Sequence, residues 1–293
     1  MPAHTFTRVG LWQESIDTNI RSHDAAVKRG DSGEALHAMD YMVYAYLQTA
    51  QDTAAKRVVD ELTEMLAKPP ASANGPGIAG GFPAAAIPSR YALERSRWSA
   101  AINLQVHPAT QPYIEAMTHF ARAMGGAHLE RLDILKTELD QLAMLRDKEI
   151  IAKDLYWTTQ VEIQRQEVEA WLLWQQGGKN QALKTMAAAA TLEDTTEKSA
   201  VTPGPLAPAH ELLGDMLIEA KQPAQALKEY ETALQKEPNR FRSVYGAGHA
   251  AELAGMGQKA RTYYQQIVKI CERGERQIRP ELDHAASYVG GTR

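Results

Sequence analysis

The chain of 293 residues holds one cysteine, Cys271. That excludes an intramolecular disulfide and any zinc module built from several cysteines. Valine and isoleucine are sparse, which disfavours sheets. No apolar run reaches the about 18–20 residues of a membrane span. The opening MPAHTFTRVG lacks the apolar stretch of a signal peptide, so the expectation is a cytoplasmic chain with no membrane insertion, or an exported one if a leader precedes it. Neither sign of charge dominates. With 32 Lys and Arg against 36 Asp and Glu, the net −4 is too balanced to argue for nucleic acid. HExxH, Walker and GxSxG sequences are all missing, so no cofactor and no catalytic residue is expected.

What is present is ordinary globular material, 44% hydrophobic and 23% charged, which excludes wholesale disorder. Alanine makes up about one residue in six, favouring closely packed helices. Repeats then appear. After Gly214 come Ala226, Tyr230, Ala233 and Pro238, and the phase returns at Gly248, Ala260 and Tyr264. Small residues at such points let antiparallel helices approach while the aromatic fills the gap. Pro238 stops the helix before it. On these residues, with Leu213 and Leu217, residues 207–274 resemble two tandem tetratricopeptide (TPR) repeats, 207–240 and 241–274. The second departs from the pattern at Ala251, Ile267 and Glu272. The chain is also similar to the C-terminal half of longer bacterial TPR proteins of unassigned function, in MPAHTFTRVGLW, EALHAMDYMVYAYLQ and EKSAVTPGPLAPAHELLGDML. The resemblance implies an all-α superhelix of antiparallel helix pairs, a right-handed solenoid.

Weaker pairs are expected at 1–30, 36–66, 83–110, 111–145 and 154–193, with Gly125-Gly126 and Gly177-Gly178 marking turns. Trp12 and Trp98 fall just after inter-helix turns, as filler between helices. About six pairs in one array, 1–293, is the expectation. The short stub before Gly10 points to an incomplete first repeat, hence to missing N-terminal repeats, a partner there, or a homo-oligomer. Residues 67–82, rich in Pro and Gly, read as a surface loop. Their GxGxxG, Gly75 to Gly80, lacks a strand before it and is a chance match. Residues 194–207 read as a connector, alternatively as a segment laid across the inner face. Residues 280–289 read as a C-terminal cap helix. Cys271 is expected as a packed thiol.

In a TPR solenoid the first helix of each pair lines the concave groove. Carrying that register over places His37, Asp40, Tyr44, Arg90 and Glu94 there, followed by His119 and Arg122. Glu211, Asp215, Tyr245 and His249 follow. Arg8, Glu167, Trp171, Trp174, Gln175, Arg242 and Glu252 share the wall. Basic residues come early and acidic ones late, which suits a ligand with separated charges. The resemblance implies a non-catalytic scaffold that binds a protein or peptide. Two alternatives use the same wall: a metal or small-molecule site at His4, His37, Asp40 and His119, and His37 oriented by Asp40 as a catalytic base.

Overall fold

The computed structural model describes residues 2–67, 81–199 and 202–291. Among them are fifteen α-helices and no strand. They run α1 Pro2–Arg8, α2 Trp12–Arg29, α3 Ser32–Gln48, α4 Asp52–Ala67, α5 Phe82–Glu94, α6 Trp98–Ala101, α7 Pro112–His128, α8 Leu132–Ala152, α9 Leu155–Gln175, α10 Lys179–Asp194, α11 Ala209–Glu219, α12 Pro223–Lys236, α13 Phe241–Leu253, α14 Gly257–Ile270 and α15 Pro280–Gly290. Most of the Pro- and Gly-rich stretch read as a loop, with its GxGxxG, lies outside the described residues. No helix among the described residues is long and apolar enough to cross a membrane.

Seven turns of one design pair these helices. Gly10, Ala50, Ser96, Glu130, Gly177, Lys221 and Gly255 each take a positive φ between 49° and 86°. The next residue's N–H then reaches the carbonyl five positions back, as from Gln51 to Tyr46 and from Met256 to Ala251. This bond satisfies a carbonyl that the helix end would leave bare. Turns of the same geometry at Gly30 and Lys153 join α2 to α3 and α8 to α9. α6 is a single turn of helix, and α15 follows as an extra helix. Where a side chain occupies the left-handed position it costs about 1–2 kcal/mol, so the surrounding packing imposes the turn there. Helix starts have local causes as well. Asp31 and Asp154 accept the backbone N–H three residues on, while Pro112, Pro223 and Pro280 occupy first-turn positions that need no donor.

Each helix packs on its chain neighbour, and the odd-numbered helices also touch in succession from α3 to α15. Small residues set these approaches. A Cβ on Gly214 or Gly246 would lie 2.8 or 2.5 Å from the Tyr230 ring, and one on Gly248 would lie 2.7 Å from Tyr264. Gly125 and Gly126 serve the same purpose. α7 runs straight through them, and the turn falls at Leu129–Arg131 instead, because a Cβ on Gly125 would lie 2.9 Å from Ala101 Cβ. Trp12 is buried at the start of α2, and Trp98 stacks on His128 at 4.0 Å. Cys271 is buried, its thiol pushed up to about 12 by burial.

The array's tail meets its head. Arg279 grips Asp52 through two bonds of 2.7 Å and donates to Leu47 O. Glu275 N–H bonds Ala50 O, Gln48 Oε1 accepts from Phe241 N, and Trp12 Nε1 donates to Asn239 O at 2.8 Å. The segment after α14 is thus docked on the turn between α3 and α4.

Candidate functional site

The connector between α10 and α11 lies across the inner helices, and its backbone shows why. Pro203, Pro205 and Pro208 hold it extended, outside any helix, so its carbonyls need other partners. Three arginines supply them. Arg8 donates to Lys198 O and Ser199 O, Arg90 to Gly204 O and Pro205 O, and Arg240 to Leu206 O. Gly204 sits where a Cβ would come within 3.2 Å of Glu237 Oε2 and 3.3 Å of Tyr44 Oη. Leu206 is buried beyond it. The connector thus lies against α1, α5 and the start of α13.

Behind this strap, carboxylates and guanidiniums neutralise one another. Arg240, fully buried, holds Glu211 at 2.8 and 3.1 Å, Glu94 at 2.8 Å and the Tyr44 hydroxyl at 3.2 Å. Arg242 adds bonds to Glu211 and Asp215, and Ser243 donates to Glu211. Asp40 pairs with Arg90 at 3.0 Å. Burial opposes ionisation of Glu211, yet Arg240 and Arg242 hold its carboxyl below the usual range. Burial raises the Tyr44 phenol, reinforced by Glu237.

Most of the wall residues expected to face a ligand are thus committed internally. Asp40, Tyr44, Arg90, Glu94 and Glu211 are buried. Asp215 binds Arg242 and the Tyr230 hydroxyl. His119 and Arg122 both engage Glu138, at 2.5 and 2.8 Å. Tyr245 stacks on His249, and its hydroxyl meets His284 Nδ1 at 3.2 Å. The four residues of the metal reading do not converge. His4 and His37 share a 3.0 Å contact, Asp40 goes to Arg90 and His119 to Glu138. Among the described residues no three His, Cys, Asp or Glu are grouped to hold a metal ion. The His37–Asp40 base pairing is likewise not formed, since the Arg90 guanidinium takes the carboxylate.

A cavity of about 430 Å³ is bounded by α5, α7, α9, the ends of α1, α10 and α12, the start of α11 and the strap. Its aromatic wall comes from Phe82, Phe120, Tyr156 and Trp157, and Trp157 is braced by stacking on Tyr113 at 3.9 Å. One face of α9 presents Gln160, Ile163, Gln164 and Glu167, at helical spacing. Glu167 is 1% exposed, and its Oε1 finds no hydrogen-bond partner among the described residues. An orphaned buried polar group costs about 1–3 kcal/mol. Burial, then the charge of Glu193, pushes the Glu167 carboxyl well above the ordinary range. Glu193 accepts the Ala209 N–H at 3.0 Å and is raised to about 7, chiefly by burial.

Sequence reasoning placed Glu167 on the inner wall without choosing it as a binding residue. It missed Tyr156, Trp157 and Glu193. Tyr156 and Trp157 open α9 in its first turn, three turns before Glu167 on the same helix, and Glu193 closes α10. The only available signal was the run YWTTQVEIQRQE, in which aromatic, amide and acid recur at helical spacing.

No model of a known family matches the chain, and no curated protein matches it.

Proposed function

We propose that this chain is a TPR-type binding scaffold that takes part of a partner protein or peptide into the cavity beside α9. The repeat spacing in 207–274, the Gly–Tyr contacts at Tyr230 and Tyr264 and the seven like turns support the TPR reading. The observation that carries the binding reading is the cavity: open, aromatic-walled and holding a buried carboxyl atom without a partner, in an interior whose other charges are largely paired. Its volume falls in the range of ligand pockets, so it admits a side chain, a chain terminus or a small molecule rather than a long extended peptide. The strap already occupies the rest of the groove.

Peptide display on the immobilised chain tests this. Selected peptides are expected to lose at least tenfold in affinity for Trp157→Ala and to be unaffected by His249→Ala. The reverse order of sensitivity would move the binding site out of the cavity.

A further inference from the structure

Resting on the cavity reading above, we propose that its occupant is a primary ammonium group on an apolar stem, with Glu167 as its counter-charge and the rings of Tyr156 and Trp157 as its wall. Each cationic side chain at the cavity already has acceptors. Arg90 pairs with Asp40, Lys198 with Glu237, and Lys236 with Asp194. His210 sits between Asp194 and Glu229, and Arg8 is spent on the strap carbonyls. The carboxyls are the groups left over. Glu167 has an orphaned oxygen, and Glu193 takes its hydrogen bond from a neutral backbone amide.

An added anion would meet these two carboxyls, whereas an ammonium would donate to the free Glu167 oxygen and complete the pairing. Phe82, Met117 and Ile163 offer the apolar surface that an alkyl or aryl stem would cover. A lysine side chain and a free amine share this chemistry.

Calorimetric titration of the full chain with four probes decides the ligand class: 2-phenylethylamine, n-hexylamine, 3-phenylpropionate and 2-phenylethanol. Both amines are expected to bind one per chain and at least tenfold more tightly than the carboxylate or the alcohol. Glu167→Gln, which keeps the side chain's shape, is expected to lower amine affinity at least tenfold with the circular dichroism spectrum unchanged. Equal or tighter binding of the carboxylate or the alcohol overturns the proposal without recourse to any variant, as does undiminished amine binding by a folded Glu167→Gln chain. Failure of both amines to bind overturns it too.

Competition of n-hexylamine with an Nα-acetylated lysine peptide, against its norleucine twin, separates the two sources of the ammonium. Displacement by the lysine peptide alone assigns a protein side chain, and displacement by neither assigns a free amine. Peptides that need Trp157 yet ignore both amines would leave the cavity as a binding site and remove only the ammonium assignment. If neither peptides nor amines bind, both readings fall.

Discussion

Two clusters of buried carboxyls, both lying against the strap, are treated in opposite ways. At Glu94 and Glu211 the fold delivers guanidiniums from Arg240 and Arg242, which hold the Glu211 carboxyl below the usual range. At Glu167 and Glu193 it delivers rings, an aliphatic wall and one backbone amide, and ionisation is suppressed. Glu167 is as deeply buried as Glu211, so depth alone does not decide which becomes structure and which stays available. The difference is whether an arginine from another helix pair reaches in. Arg240 does so from the start of α13 because Pro238 and Asn239 end the preceding helix and turn the chain inward.

The strongest way to break this contrast is to convert the first cluster into the second. Arg240→Met leaves Glu94 and Glu211 buried without their shared cation, and frees the Leu206 carbonyl. A loss of about 3–5 kcal/mol is expected, read as a lower denaturation midpoint.

Glu167→Gln is the intermediate case. In the fold Glu167 holds its proton well above the ordinary carboxyl range, whereas the unfolded chain gives it up near 4.5. Its favourable contribution is complete below that value and declines as pH rises through the folded-state value. Glutamine has no proton to lose. The variant's melting temperature minus the parent's is therefore expected to grow from pH 5 to pH 8. A constant difference would show that Glu167 is ionised in the fold. The subtraction is needed because other groups slope too. Glu193, raised to about 7, acts in the same direction, while His128, lowered to about 4 by burial, acts oppositely below pH 6.5. The smallest effect sharpens the comparison from outside. Arg131→Ala removes an exposed pair with Asp133, and no measurable change in melting temperature is expected.

Much of the fold was legible because it is written in spacing. Gly214, Ala226, Tyr230 and Gly248 carry contacts that only small residues and one ring allow, so their register marks 207–274. Gly10 and Gly177 mark turns for a different reason, a left-handed backbone that glycine takes without strain. The turns at Ala50, Ser96, Glu130 and Lys221 were hidden, since tertiary packing imposes a left-handed backbone on residues that do not advertise it. Gly125-Gly126 misled in the opposite sense: they are small so that α7 can pass Ala101, not so that the chain can turn. For the site, helical register singled out Asp40, Arg90, Glu94 and Glu211 for a ligand-facing wall, and all four are buried. Register does not say which charges will meet, and the partners come from far along the chain. Arg240 and the strap consumed the groove, and Glu167 was left by subtraction.

The docking of the tail on the α3–α4 turn changes how the molecule must assemble. An open array can gain or lose a terminal unit while its remainder stands. Here Asp52 and Arg279 are 227 residues apart, and their bond forms only after most of the intervening helices are in place. Closing so long a loop costs entropy before any contact repays it, which slows folding relative to a chain of local pairs. In return the two ends protect each other. Unwinding the segment after α14 gives up the buried guanidinium bonds to Asp52.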